Sequence, residues 1–254
     1  MRAIAVVLVM LFHFETRIKG GYLGVDMFFV ISGFVIATST IREFQTTGSF
    51  SWSNFIHRRA RRLIPGLVIV SFATASATQV FLSPFGPQKE VTKMLLSAAS
   101  YTSNFVLMHQ NYFSLEPKSN PLLHLWSLAV EEQFYIIWSI AIVAILGISK
   151  KVQIQISRIS VWVVILLVFI GSCWLFLYAS IHGSKVNDSF WFRPLITRGV
   201  TPERFAFYSP FTRAWEFLAG VLVALMLQAK TLQLNQTSIW LCRLSASCLL
   251  VGDF

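Results

Sequence analysis

The sequence is poor in charged residues. Asp, Glu, Lys and Arg make up only 13% of the 254 residues, whereas soluble domains carry about 25%. Hydrophobic residues make up 55% of the chain, and its mean hydropathy is +0.64. This deficit of charge, together with several long apolar runs, excludes an ordinary soluble domain and predicts a membrane protein with several spans.

Acidic residues are scarcer than basic ones. The chain has 11 Asp and Glu against 21 Lys and Arg, so its formal net charge is +10. In a soluble protein this excess would suggest a nucleic-acid partner. Here the cations cluster between apolar segments, as they do in loops that face the cytoplasm. We therefore expect the lipid bilayer as a partner, and no nucleic acid.

Cysteine is also rare. Cys173, Cys242 and Cys248 lie in apolar segments, and no CxxC pair is present. This pattern is typical of packing residues and indicates neither a disulfide framework nor a metal site. We therefore expect no metal.

The apolar runs predict an all-α fold, a polytopic transmembrane helical bundle of about six to seven spans. The last span is incomplete, because the sequence stops inside it. The predicted spans are the segments 2–14, 20–40, 63–82, 123–148, 159–182, 211–228 and 238–254.

The segment 92–109 is long enough to span but rich in Ser, Thr and Asn. If it spanned, Lys150, Lys151 and Arg158 would lie outside, against the tendency of cations to face the cytoplasm. We therefore expect this segment to lie on the outer surface or to re-enter the membrane.

Two adjacent acids interrupt the apolar stretch 121–138. A charge in the middle of a membrane helix costs roughly 2.5–3.5 kcal/mol on insertion scales, so Glu131 and Glu132 require an explanation. On a helix, Glu131 shares one polar stripe with three further residues: His124, Ser127 and Tyr135. Glu132 projects about 100° away. The pattern predicts that Glu131 faces a cavity while Glu132 finds a partner in the bundle.

The densest basic cluster is Arg58, Arg59, Arg61 and Arg62, at the end of the polar connection 42–62. Arg58, Arg61 and Arg62 share a helical face and could clamp a phosphorylated ligand. A topology signal bound to anionic lipid would look the same.

Two further pairs of polar residues lie in apolar segments. Arg2 and His13 are on one helical face, roughly 16 Å apart along the axis. Arg213 and Glu216 are three positions apart and could neutralise each other, or Glu216 could take part in catalysis. Histidine with a carboxylate can activate a hydroxyl, but a proton-coupled transporter could use the same residue types.

Five motifs occur in a fixed order: Arg-x10-His at Arg2/His13, GVDMFFVISGF at 24–34, RRARRLIP at 58–65, LLHLWSLAVEEQFY at 122–135 and TRAWEFLAG at 212–220. With these motifs the whole chain resembles the acyltransferase family 3 membrane proteins. That family includes O-acetyltransferases of O-antigen, peptidoglycan and exopolysaccharide.

The resemblance implies transfer of an acyl group, usually acetyl, from cytoplasmic acetyl-CoA to a hydroxyl of a surface glycan or lipid-linked sugar, in the bacterial inner membrane. His13 is similar to the family's essential histidine, with Arg2 as its motif partner. An Arg-x-x-Arg pair, Arg59/Arg62 or Arg58/Arg61, is similar to the CoA-side site. The other candidate catalytic residues are Glu131, Glu132 and Glu216, and the candidate acceptor-binding residues are His124, Trp126, Ser127 and Tyr135.

The sequence departs from the family at its ends. Family members usually have more helix before the first Arg and about ten spans, and some append an SGNH hydrolase-like domain, which is not found here. We therefore expect residues 1–254 to form one partial acyltransferase-like domain. A transporter-like bundle or an inactive truncated remnant are the alternatives.

Overall fold

The structure is a computed structural model that describes residues 5, 7, 9, 23–84, 86–109, 122–152, 158–182 and 200–228. Within these ranges every regular element is a helix, which confirms the all-α prediction. In chain order the helices are α1 (Leu23–Thr47), α2 (Trp52–Phe81), α3 (Pro87–Ala99), α4 (Ser103–His109), α5 (Leu125–Val152), α6 (Arg158–His182), α7 (Pro202–Tyr208) and α8 (Pro210–Gln228).

Five helical segments of the described chain are long and apolar enough to cross a membrane. They are Leu23–Thr47, Trp52–Phe81, Leu125–Leu146, Ser160–Ile181 and Pro202–Gln228, the last of which combines α7 and α8. They coincide with five of the predicted spans. The first and last predicted spans, 2–14 and 238–254, lie outside the described residues, apart from Ala5, Val7 and Val9, which are helical.

The start of α2 differs from the sequence prediction. A polar connection was expected over 42–62, but only residues 48–51 separate α1 from α2. The hydroxyl of Ser51 caps α2 by accepting a hydrogen bond from the backbone N–H of Asn54, at 3.4 Å. Because Arg is a good helix former, the basic cluster continues the helix and occupies its second and third turns.

The segment 92–109 forms no single long helix. The short helices α3 and α4 are separated by a turn in which Tyr101 has φ of 52°, in the left-handed region. That the segment lies on the outer surface or re-enters the membrane stays a prediction. A left-handed backbone is uncommon for a residue with a Cβ and costs of order 1 kcal/mol.

The described residues divide into two compact units: one combines those up to 46 with 216–228, and the other consists of those from 47 to 215. In the first unit, α1 and the end of α8 run parallel, since Gly33 lies against Phe217 and, further along both helices, Gln45 bonds to Gln228. A Cβ on Gly33 would collide with the backbone carbonyl of Phe217, and one on Gly220 with that of Val30. The rings of Phe29 and Phe217 stack with centroids 4.6 Å apart. Glycine therefore allows the two backbones to touch.

In the second unit, α2 and α5 run antiparallel. Trp52 Nε1 donates to Ser139 Oγ at 3.2 Å, and Arg59 Nη1 donates to Glu132 Oε1 at 3.0 Å. The two contacts are seven residues apart on each helix, about 10 Å along the axis. They bring the basic cluster of α2 level with the two acids of α5.

Candidate active site

The two acids of α5 are both buried. Glu131 is 4% exposed and Glu132 is 8% exposed. A buried carboxylate is tolerated only when other polar groups compensate for its lost hydration. The partners of these two residues therefore define the candidate site.

Glu132 forms an ion pair with Arg59 of α2. Their side chains are 11% and 18% exposed, so water screens the pair little. The guanidinium carbon of Arg59 also lies 3.1 Å from the ring centroid of Tyr135 and 5.4 Å from that of Phe55. A guanidinium over an aromatic face gains cation–π attraction. Arg59 is thus held by one carboxylate and two rings.

Glu131 has a partner one helical turn further along α5. The hydroxyl of Tyr135 donates a hydrogen bond to Glu131 Oε1, and Tyr135 is fully buried. This contact agrees with the predicted stripe, in which residues four apart share a face. Glu132 connects α5 to another helix, as its angle to the stripe predicted, whereas the facing of Glu131 toward a cavity stays a prediction.

A third polar residue, Gln133, ties α5 to the turn between α3 and α4. Its Nε2 donates to the carbonyl of Tyr101 at 2.7 Å and to Asn104 Oδ1 at 2.9 Å. Asn104 is fully buried, and its Nδ2 donates to the carbonyl of Tyr208 at 3.1 Å. These bonds hold the left-handed turn of Tyr101 beside the acids.

The pKa of Tyr101 depends on its burial and on the charge of the site. Partial burial raises its pKa above the usual value, and the negative charge of Glu132 raises it further.

The sequence did not reveal three residues of this site: Tyr101, Asn104 and Gln133. The signal available was Gln133, a third consecutive polar residue in an apolar stretch, which requires partners for the same reason as the acids do.

The candidate acceptor-binding residues occupy different environments. His124 precedes α5 and is exposed, and its carbonyl accepts a hydrogen bond from Ser127 Oγ at 3.1 Å. Trp126 is buried against Phe207 and Tyr208, with ring centroids 4.8 and 5.2 Å away. The structure therefore brings Ser127, Glu131 and Tyr135 together on one face of α5, while His124 lies before the helix begins.

The four arginines of the basic cluster also separate. Arg59 is half-buried, whereas Arg58, Arg61 and Arg62 are exposed. At 100° per residue, Arg61 projects about 200° from Arg59, on the opposite side of α2. The cluster therefore presents one inward cation and three outward ones.

Arg213 and Glu216 are both buried in α8. Arg213 Nε donates to the carbonyl of Phe207 at 3.0 Å, and its guanidinium carbon lies 4.9 Å from the Phe207 ring centroid and 5.4 Å from that of Phe176. Glu216 is fully buried and belongs to the first unit, next to the contact of Phe217 with α1. The pairing of Arg213 with Glu216 stays a prediction.

Comparison with known proteins identifies the family. The family profile described as an acyltransferase domain, Acyl_transf_3, matches residues 1–253. The chain belongs to acyltransferase family 3. No solved structure matches it.

The relatives that the chain matches are longer proteins. The peptidoglycan O-acetyltransferase OatA of Listeria monocytogenes is 31% identical over 231 residues, 88% of this chain and 32% of that protein. YrhL of Bacillus subtilis, provisionally named a peptidoglycan O-acetyltransferase, is 31% identical over 243 residues, 93% of this chain and 34% of YrhL. A Staphylococcus aureus protein with a provisional O-acetyltransferase name is 37% identical over 154 residues, 59% of this chain and 25% of that protein.

This chain therefore spans about a quarter to a third of the length of these relatives. The Arg2 and His13 motif of the family lies outside the described residues. What the described chain contributes is a buried group of two carboxylates, one guanidinium and one phenol: Glu131, Glu132, Arg59 and Tyr135. Such a group can orient an imidazole or a hydroxyl and can stabilise charge that develops during acyl transfer.

Proposed function

We propose that this chain is the membrane-embedded acyltransferase part of a bacterial O-acetyltransferase. It moves an acyl group, with acetyl as the first candidate, from cytoplasmic acetyl-CoA to a hydroxyl of a cell-surface carbohydrate. The observation that carries the proposal is the match of the acyltransferase profile to residues 1–253, almost the whole chain. The cytoplasmic membrane is the proposed location, because five apolar helices require a bilayer.

In the proposed reaction His13 accepts the proton of the acceptor hydroxyl. The hydroxyl oxygen attacks the thioester carbonyl, the carbon–sulfur bond breaks, and the CoA thiolate takes up the proton. The products are an O-acyl ester and free CoA. Arg2 and a carboxylate orient the imidazole, because a general base must be held in one tautomer and direction.

The buried polar group of the second unit supports this proposal. Two acids in an apolar helix carry a cost of several kcal/mol, and a chain with only a packing role has no need of them. Peptidoglycan is the first acceptor to test, because OatA and YrhL carry names that refer to it. Lipopolysaccharide and lipid-linked sugars are the next.

The test is transfer of radiolabelled acetyl from acetyl-CoA. Membranes from cells that produce the chain are incubated with peptidoglycan from which base has removed the O-acetyl groups. We expect base-labile label in the glycan with the wild-type chain and none with His13→Ala. If the amount of label is undiminished with His13→Ala, His13 is not the general base of the reaction.

Two other outcomes identify the alternatives. Proton-dependent uptake of solute into vesicles, without label in any of the three acceptors, would indicate a transporter. Neither uptake nor label would indicate that the chain alone is inactive. In both cases the acyltransfer proposal fails for this chain.

A further inference from the structure

We propose that Arg59 is a positioning residue for the carboxylates of α5 and that it does not bind acyl-CoA, whose phosphates are left to Arg58, Arg61 and Arg62. The part that concerns acyl-CoA rests on the proposed function. The family resemblance left two Arg-x-x-Arg pairs open, Arg59/Arg62 and Arg58/Arg61, and the proposal removes Arg59 from the CoA-side site.

The first argument is the occupation of the Arg59 guanidinium. Its Nη1 lies 3.0 Å from Glu132 Oε1, and its carbon lies 3.1 Å from the centroid of the Tyr135 ring. Because the Arg59 side chain is only 18% exposed, reaching out to a phosphate in solvent would draw it away from both contacts. Glu132, 8% exposed, would then lose the cation that compensates for its burial, and an uncompensated buried charge is strongly unfavourable.

The second argument is the direction of the other arginines. Arg58, Arg61 and Arg62 have exposed side chains on α2. They occupy positions i, i+3 and i+4, so their side chains can converge on one multiply charged group. A nucleotide carrying several phosphates is recognised by such a set of cations, each adding a charge-assisted hydrogen bond.

The third argument is that the contacts of Arg59 continue to Glu131. The guanidinium covers the ring of Tyr135, and the hydroxyl of Tyr135 donates to Glu131 Oε1. Arg59 therefore fixes Glu132 directly and Glu131 through Tyr135. Its planar guanidinium suits both the ring face and the carboxylate, whereas a Lys ammonium supplies only the charge.

The kinetic test compares Arg59→Lys with Arg61→Ala, chosen because Arg61 projects to the opposite side of α2. For Arg59→Lys we expect kcat to fall about 10- to 100-fold through misplaced carboxylates, with the KM for acetyl-CoA within about twofold of wild type. For Arg61→Ala we expect the KM for acetyl-CoA to rise roughly fivefold with kcat unchanged. If Arg59→Lys instead raises that KM as Arg61→Ala does, the proposal is overturned.

A second measurement does not depend on activity. The unfolding temperature of purified protein in detergent is recorded for Arg59→Gln, Glu132→Gln and the double variant. If the two side chains act as a pair, the double variant loses less than the sum of the two single losses. Additive losses would overturn the positioning role.

Binding of acetyl-CoA separates this proposal from the proposed function. Addition of acetyl-CoA to the wild-type protein should raise its unfolding temperature, and Arg59→Lys should retain that shift while Arg61→Ala reduces it. If the wild-type protein shows neither this shift nor transfer, the proposed function fails. The comparison of the Gln variants then still decides whether Arg59 positions Glu132.

Discussion

Two helix pairs in this chain are held together in opposite ways. In the first unit, α1 and the end of α8 meet where glycine leaves the two backbones in contact, at Gly33 and Gly220. In the second unit, α5 is held by polar side chains: Arg59 on Glu132, Trp52 on Ser139 and Asn104 on Gln133. The two glycine contacts depend on the absence of a side chain, whereas the three polar contacts depend on particular side chains.

The difference shows how membrane helices can pair without a hydrophobic driving force between them. Close backbone approach gains dispersion and needs only small residues. A polar contact gives direction and register, and it places charged groups where chemistry can use them. Substitutions in the first pair should therefore lower mainly the stability, whereas substitutions in the second should lower mainly the proposed activity.

The largest effect is expected for Gly33→Ala. The added Cβ would overlap the backbone carbonyl of Phe217, which cannot rotate away as a side chain can. The helices would have to separate, at about 3 kcal/mol or more. The measurement is the unfolding temperature of the purified protein in detergent.

Gly171→Ala in α6 is the matched control. A Cβ at this position meets nothing within 4 Å, so the helix should gain up to about 1 kcal/mol from the better propensity of Ala. If the two variants unfold at similar temperatures, the backbone contact of α1 with α8 is not what holds the first unit together.

An intermediate effect is expected for Asn104→Ala. The change removes the buried amide that bonds to Gln133 and to the carbonyl of Tyr208. Leaving buried polar groups unsatisfied costs about 2 kcal/mol, and the turn of Tyr101 loses part of its support. Thermal unfolding measures the loss of stability, and the acetyl-transfer assay measures the effect on the site.

The control for this variant comes from the first unit. Gln45 Nε2 donates to Gln228 Oε1 at 3.0 Å, also an amide–amide bond, but an exposed one. Water replaces a lost partner there, so Gln45→Ala should change the stability by less than about 0.5 kcal/mol. Equal losses in the two variants would show that burial does not set the strength of these bonds.

The smallest effect is expected for Tyr101→Phe and appears only at high pH. Burial and the charge of Glu132 raise the pKa of Tyr101 in the folded protein. The unfolded chain therefore releases this proton more easily, and stability falls as the pH rises past about 10. Phe has no proton to lose. Raising the pH from 9 to 11 should therefore lower the unfolding temperature of Tyr101→Phe less than that of the wild-type protein. Parallel curves over that range would contradict the raised pKa.

The sequence predicted what depends on helical periodicity and hydropathy. The five described spans follow from the length of the apolar runs. The proximity of Glu131 and Tyr135 follows from their spacing of four, and the bracing role of Glu132 follows from its angle to that stripe. These are properties of a single helix.

What depends on the neighbour of a helix could not be predicted. Periodicity shows that Glu132 needs a cation but not that Arg59, 73 residues earlier, supplies it. The predicted start of α2 was wrong because a run of charged residues was interpreted as a loop, although Arg is a good helix former. The turn at Tyr101 carries no glycine to mark its positive φ.

The register of α2 against α5 has a consequence for insertions. Trp52 and Arg59 are seven residues apart, as are Glu132 and Ser139, so each helix makes nearly two full turns between its two contacts. One residue inserted between Glu132 and Ser139 would swing one contact by about 100° relative to the other. This stretch of α5 can exchange its outward side chains, but its length is fixed.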